Sequence, residues 1–346
     1  MGSLLSQPIT EQHSGQLSGS LLTCGYTSMQ GWRRTMEDAH IVSLDFDAPV
    51  HENPNSPNPN SITLKATLLA VFDGHGGDNV ALYCEKAFIP CLLRQESFKQ
   101  RKYEQALIET NIALDEEMKD DKINEYIKDL SNRSPFYDDM IDGPIATGMG
   151  CTSVVCLIIE NKLYVSNAGD SRAVLYCNNE VKALSIDHKP HLESESERII
   201  KAGGYITNGR VNGNLNLTRT LGDLLYKRNV ELKPEEQIIS CYPDITVHEL
   251  TGNEQLIIVA CDGIWDCLTN EQCVEKVVKY LEGGNDLQQT VEKITADCLC
   301  VEPYTQPGWD NMSLIVGKFH NWNVVVTENE KENETLSPES TVMEEE

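Results

Sequence analysis

Four carboxylates stand at the ends of apolar runs. Leu68-Leu69-Ala70-Val71-Phe72 breaks into Asp73-Gly74-His75-Gly76-Gly77, and Leu256 to Cys261 runs into Asp262-Gly263-Ile264-Trp265-Asp266. Leu163-Tyr164-Val165 leads to Asp170, and Asp310-Asn311 precedes the run Met312 to Val316. A single Asp-Gly is an ordinary turn signal. Its recurrence beside apolar runs suggests a shared oxygen-rich cluster at one rim of a sheet. Glu37 and Asp38, just after the pair Arg33-Arg34 in GWRRTMEDAH, add two more acids. No thiolate or histidine cluster accompanies these residues, so oxygen-only ligation points to Mg²⁺ or Mn²⁺ rather than Zn²⁺. Two such ions about 4 Å apart would activate a bridging water and orient a phosphate for in-line attack. A guanidinium fork matches two phosphate oxygens, and a histidine could protonate a leaving alkoxide. The residues alone thus predict a two-metal phosphoester hydrolase, although their spacing does not show that the acids converge.

The elements that must position them read as follows. Leu68 to Phe72 is expected to be a strand buried on both faces. Val154 to Ile159 is a second strand, and a strand-turn-strand surrounds Asp170. Asp78 caps a helix to about Ile89, stopped or kinked by Pro90, and a second helix covers roughly 99–118. Glu193 to Ala202 is a short charged helix, and Asn212-Gly213 marks a hairpin turn. Thr269 with Gln272 forms a capping box for a helix to Leu281, followed by a helix from about Leu287 to Cys298. Pro49 to Ser61 reads as a loop, and 119–144 as a variable, partly helical insertion. Strands and helix pairs do not alternate regularly, so antiparallel sheets covered by helices are expected rather than a doubly wound sheet.

The chain has 346 residues and a net charge of −26. Nucleic acid is a poor partner for such a surface, whereas divalent cations suit it. No run of about 18 apolar residues occurs, no secretory signal is evident, and the twelve cysteines follow no disulfide framework. A cytoplasmic protein with free cysteines is expected, with nuclear or transient membrane association as extensions. Met1-Gly2-Ser3-Leu4-Leu5-Ser6 fits the N-myristoylation pattern with Gly2 as acceptor, but no Lys or Arg follows in the first twenty residues. A single acyl chain would then give only transient membrane contact. From Glu328 onward eight Glu accompany one Lys, so a disordered tail is expected. The expected organisation is a flexible N-terminus over 1–22, a catalytic domain over 23–320 and an acidic tail over 321–346.

GWRRTMEDAH, VFDGHGG, GCTS, NAGDSRAVL, DHKP, ERIIKAGG, RVNGNLNLTRTLGD, ACDGIWD and DNMS stand in this order between Tyr26 and Lys318. They resemble the successive motifs of the metal-dependent serine/threonine protein phosphatases of the 2C type. The resemblance implies an α+β fold, with a central antiparallel β-sandwich flanked by helix pairs on both faces. It implies that Asp73 bridges two metals, that the Gly74 carbonyl and Glu37 serve one ion, and that Asp262 and Asp310 serve the other. Asp38 and Asn311 would support that shell, and Asp170 and Asp266 match positions linked to a weaker third ion. Arg33, which follows Trp32 directly, matches the phosphate-binding arginine, and His75 the general acid. The segment from His188 to Arg219 matches a flap beside the site. Phosphorylated proteins are the implied substrates, and a monomer is expected. A catalytically silent phosphoprotein-binding scaffold of the same fold, and a small-molecule phosphoesterase or nuclease, are the competing readings.

Overall fold

The computed structural model describes residues 4–54, 56, 60–131 and 143–322. Two antiparallel sheets form its centre. The first has six strands, in the spatial order Ile9–Ser18, Leu22–Gly31, Met312–Phe319, Glu254–Ala260, Arg172–Cys177 and Glu180–Ala183. The second has five, in the order Asp244–Glu249, Lys162–Ala168, Ser153–Ile159, Ser61–Phe72 and Ala39–His51.

The continuous apolar runs follow from what lies on each side of the sheets. Successive strand residues point to opposite faces. Leu69 and Val71 enter the layer between the sheets, where they meet Leu175, Ile257, Val259 and Ile315. Leu68, Ala70 and Phe72 point the other way, against the helices Asn79–Arg94 and Tyr103–Glu117. Leu256, Ile258 and Ala260 likewise pack beneath the helices Asn270–Glu282 and Leu287–Cys298. Each fully buried Leu, Val or Phe contributes about 1.5–3 kcal/mol to folding, so both faces of these strands require apolar residues. The result is the four-layer sandwich with helix pairs outside.

Several local expectations change. The helix after Asp78 continues past Pro90 to Arg94, because Cys91 and Leu92 extend the face that packs on the second sheet. The expected helix over 99–118 is two pieces, Glu96–Lys99 and Tyr103–Glu117, separated at Arg101, whose φ is +60°. The loop over Pro49 to Ser61 is shorter than its composition suggests. Pro49 pairs with Thr63, Val50 with Ile62 and His51 with Ser61. The 39–51 strand lies at a sheet edge, where a proline costs no ladder hydrogen bond if its nitrogen faces outward.

Residues 9–18, expected in a flexible N-terminal stretch, form the edge strand of the first sheet. Gln12 and Ser14 tie it to the helix Leu287–Cys298 through Glu292 and Thr295. The strand is largely exposed and polar, so its alternation carried no apolar signal. Gly2 and the acidic residues from Glu328 lie outside the described residues. All twelve cysteines are free. Among the described residues no helix is long and apolar enough to cross a membrane.

Candidate active site

Strand register brings the acids to one rim of the sandwich. Ala39 pairs with Phe72, so Asp38 and Asp73 leave adjacent strands side by side. Ala260 pairs with Leu314, which sets Asp262 next to the segment carrying Asp310 and Asn311. Asp170 lies in the turn between Lys162–Ala168 and Arg172–Cys177, which belong to different sheets. Carboxylate oxygens of Asp73, Asp170 and Asp262 lie within 4.8 Å of one another, and one oxygen of Asp38 approaches Asp73 and Cys261 equally closely. Asp262 opens a single helical turn, and Asp266 closes it by donating its N–H to the Asp262 carbonyl at 2.7 Å.

Backbone contacts hold this rim together. Thr152 Oγ1 accepts from the Asp73 N–H at 3.0 Å, and the Thr152 N–H donates to the Asp73 carbonyl at 2.9 Å. Gly74 runs so close to the 37 carbonyl that a Cβ there would sit 2.2 Å from it. Asn311 accepts from the Glu37 N–H at 2.9 Å and donates to the carbonyls of Gln30 and Thr35 at 2.8 and 2.9 Å. Its side chain is therefore a brace for the 30–37 loop, which places Glu37 and Arg33. Glu37 itself accepts the Thr35 hydroxyl at 2.6 Å.

The two basic neighbours diverge. Arg34 is exposed, whereas Arg33 turns toward the rim, with its guanidinium 4.9 Å from the Trp309 ring and Nη2 2.5 Å from Asp310. Its buried Nε has no protein partner.

His75 is placed by a three-stranded patch in which Gly74–His75 and Leu221–Gly222 both pair with Gly150–Cys151. Its Nε2 lies 2.8 Å from Asp223 Oδ2, which also accepts the Thr220 hydroxyl at 2.8 Å. A Cβ on Gly150 would come within 2.4 Å of that carboxylate. Burial alone would lower the histidine, but Asp223 outweighs it and raises the imidazole above its ordinary range. Asp223 was not singled out from sequence. It stands inside the quoted RTLGD motif, and only the pairing across Gly150 shows what it touches.

The electrostatics are those of a rim crowded with like-charged carboxylates. Burial and then the neighbouring carboxylates push Asp73 and Asp262 well above the normal carboxylate range. Burial pushes Asp38 up to about 7. Asp38 Oδ2 and Asp170 Oδ1 are buried without a protein partner. An unpaired buried carboxylate oxygen is costly, so orphaned oxygens at a rim of clustered acids fit hard divalent cations.

The profile of the family described as protein phosphatase 2C matches residues 22–302. The chain belongs to the protein phosphatase 2C family. Protein phosphatase 2C homolog 2 of Hypocrea jecorina is 40% identical over 320 residues, covering 92% of this chain and 67% of that protein. Probable protein phosphatase 2C 21 of Arabidopsis thaliana is 37% identical over 356 residues, covering 95% and 96%. The solved serine-threonine phosphatase 2C from Toxoplasma gondii shares the fold, with a TM-score of 0.65 and 19% identity over 89% of this chain and 99% of its own. As a protein phosphatase 2C the chain is a protein serine/threonine phosphatase, and the family's activity is metal-dependent.

Proposed function

We propose that the rim holds two Mg²⁺ or Mn²⁺ ions, with a third bound more weakly, and that phosphoserine and phosphothreonine are hydrolysed there by in-line attack of water. The convergence of Asp73, Asp170 and Asp262 carries this reading. Asp73, the Gly74 carbonyl and Glu37 would serve one ion and Asp262 with Asp310 the other, while Asp38 supports the shell. Bound cations would supply an activated water and neutralise charge on the phosphoryl oxygens.

The chain's own groups do the rest. Arg33 receives the phosphoryl group. Trp309 and Asp310 hold its guanidinium in place, and its Nε is unpartnered. His75 protonates the departing serine or threonine oxygen. With Nε2 engaged by Asp223, Nδ1 is the nitrogen free to donate, and the raised imidazole keeps that proton near neutral pH. Asp223 acts through His75 and is a positioning residue. All the acids that a silent scaffold would lose are in place, which favours catalysis over phosphoprotein binding alone.

The deciding experiment is phosphate release from a phosphothreonine peptide with Mn²⁺ or Mg²⁺, against an EDTA control. Release only with metal supports the reading; folded protein that releases none with either ion overturns it. We also infer that the protein works in the cytoplasm as a monomer and visits membranes through acylated Gly2. Intact mass of the native protein then shows about 210 Da added after loss of Met1. An unmodified Gly2 removes the membrane contact, and a dimer in solution removes the monomer.

A further inference from the structure

Lys189 reaches into the acid rim from the first residues of the 188–219 segment that matches a flap. Its Nζ donates to Asp170 Oδ2. Asp170 is 1% exposed, and its other oxygen, Oδ1, is buried without a partner. Asp170 is thus divided between an ammonium on one oxygen and an unpartnered lone-pair set on the other, and one of its two oxygens lies within 4.8 Å of an oxygen of Asp73 and one of Asp262. The Lys189 charge also acts on Asp262 and Asp266.

The ammonium is held there by its backbone. His188 donates its N–H to the Gly169 carbonyl at 2.9 Å, and its Nδ1 accepts from the Gly169 N–H at 3.1 Å. The loop that carries Lys189 is therefore stitched to the same turn that carries Asp170. Thr218 adds a second tie, donating its N–H to the His188 carbonyl at 3.0 Å. A lysine placed this rigidly against a ligand oxygen opposes any dication that seeks the same carboxylate, since both compete for one negative charge.

We propose that Lys189 is a built-in monovalent competitor, which holds Asp170 in the metal-free rim and weakens divalent-cation binding at the peripheral position formed by Asp170 and Asp266. The inference rests on the metal reading of the rim given above. It makes the peripheral position a site whose occupancy follows the free cation concentration, while the inner pair stays filled. Movement of the 185–190 loop, which runs into the start of the 188–219 segment, would change that occupancy by moving the ammonium.

The experiment is calorimetric titration of the full-length protein with Mn²⁺, comparing wild type, Lys189→Met and Lys189→Arg. Lys189→Met should tighten the weakest class of sites by about tenfold or more and leave the tight class within about threefold, while Lys189→Arg resembles wild type. Melting without metal is the companion measurement. Lys189→Met should melt below wild type in EDTA, because the acids lose their counter-ion, and the gap should close in saturating Mn²⁺. Unchanged or weaker binding at the weak sites in a folded Lys189→Met protein overturns the competitor role. Wild type that binds no Mn²⁺ overturns the metal reading itself, and this inference with it.

Discussion

Two charge clusters, each reaching from the interior to the surface, lie close to each other in this molecule and are built in opposite ways. At the acid rim, Glu37, Asp38, Asp73, Asp170, Asp262, Asp266 and Asp310 outnumber the cations near them: Arg33 and Lys189 contact Asp310 and Asp170 directly, and Arg172, committed to Asp187, acts on Asp170 and Asp266 from farther off. Within the 188–219 segment, Glu195 is fully paired. It accepts from Arg198 at 2.6 Å, from Arg219 at 2.6 and 3.1 Å, and from the Thr218 hydroxyl. Arg219 goes on to Asp244 at 2.7 Å, and Asp244 lies 3.1 Å from His188. The same carboxylate chemistry then shifts in opposite directions. Burial and like charges push Asp73 far up, whereas Glu195 is held at about 2, because two guanidiniums and a hydroxyl outweigh its burial. Pairing, rather than burial, separates the unbalanced acid rim from a joint that holds two segments together.

The largest expected effect tests the unbalanced cluster. Asp262→Asn should cut metal-dependent turnover by orders of magnitude and weaken Mn²⁺ binding, measured on a phosphopeptide and by titration. The metal-free variant should melt no lower than wild type, since one like charge has been removed. Wild-type rates would take Asp262 out of the site. The balanced cluster should respond the other way. Glu195→Gln leaves two buried guanidiniums short of charge and should cost about 3–5 kcal/mol in denaturant unfolding, with Mn²⁺ affinity unchanged.

Acid gives a smaller version of the same contrast. The depressed Glu195 contributes stability that is present above its unfolded value near 4.5 and is lost as pH falls toward about 2. That loss amounts to up to about 3 kcal/mol. Hydrogen exchange should therefore show 193–219 opening between about pH 4 and 2, ahead of the strands beneath it. Simultaneous opening of both would refute a separate flap anchor. The smallest effect concerns the mixed pair of His75 and Asp223. His75→Gln should slow an alkyl phosphate by about 10²-fold and an aryl phosphate much less, because a good leaving group needs no general acid. Asp223→Asn should show the same leaving-group pattern more weakly. Equal losses on both substrates would remove the acid role from His75.

The comparison also explains which parts were legible beforehand. Asp73, Asp170, Asp262 and Asp310 are readable because each borders a strongly apolar run, and such borders survive as local pattern. The capping box at Thr269 and Gln272 was readable for the same reason, since all its partners lie within four residues. Asp223, Thr152 and Lys189 stand inside motifs, where local spacing says nothing of their role. Their partners are His75, Asp73 and Asp170, which are 148, 79 and 19 residues away. The edge strand Ile9–Ser18 escaped because its polar residues carry no period that differs from a coil. The helix through Pro90 escaped because the packing of Cys91 and Leu92 overrode a local breaker.

By itself, the sequence determined the central apolar strands, the presence of helix pairs, the oxygen-only character of the clustered acids and, through motifs in order, the family resemblance. These depend on residue type and short spacing, which the chain carries wherever it goes. Only the tertiary structure decided that the acids share one rim and that His75 leans on Asp223, and it turned Arg33, which the motif already singles out, toward that rim. Those facts depend on strand register and sheet packing, where a one-residue slip would turn each side chain to the opposite face.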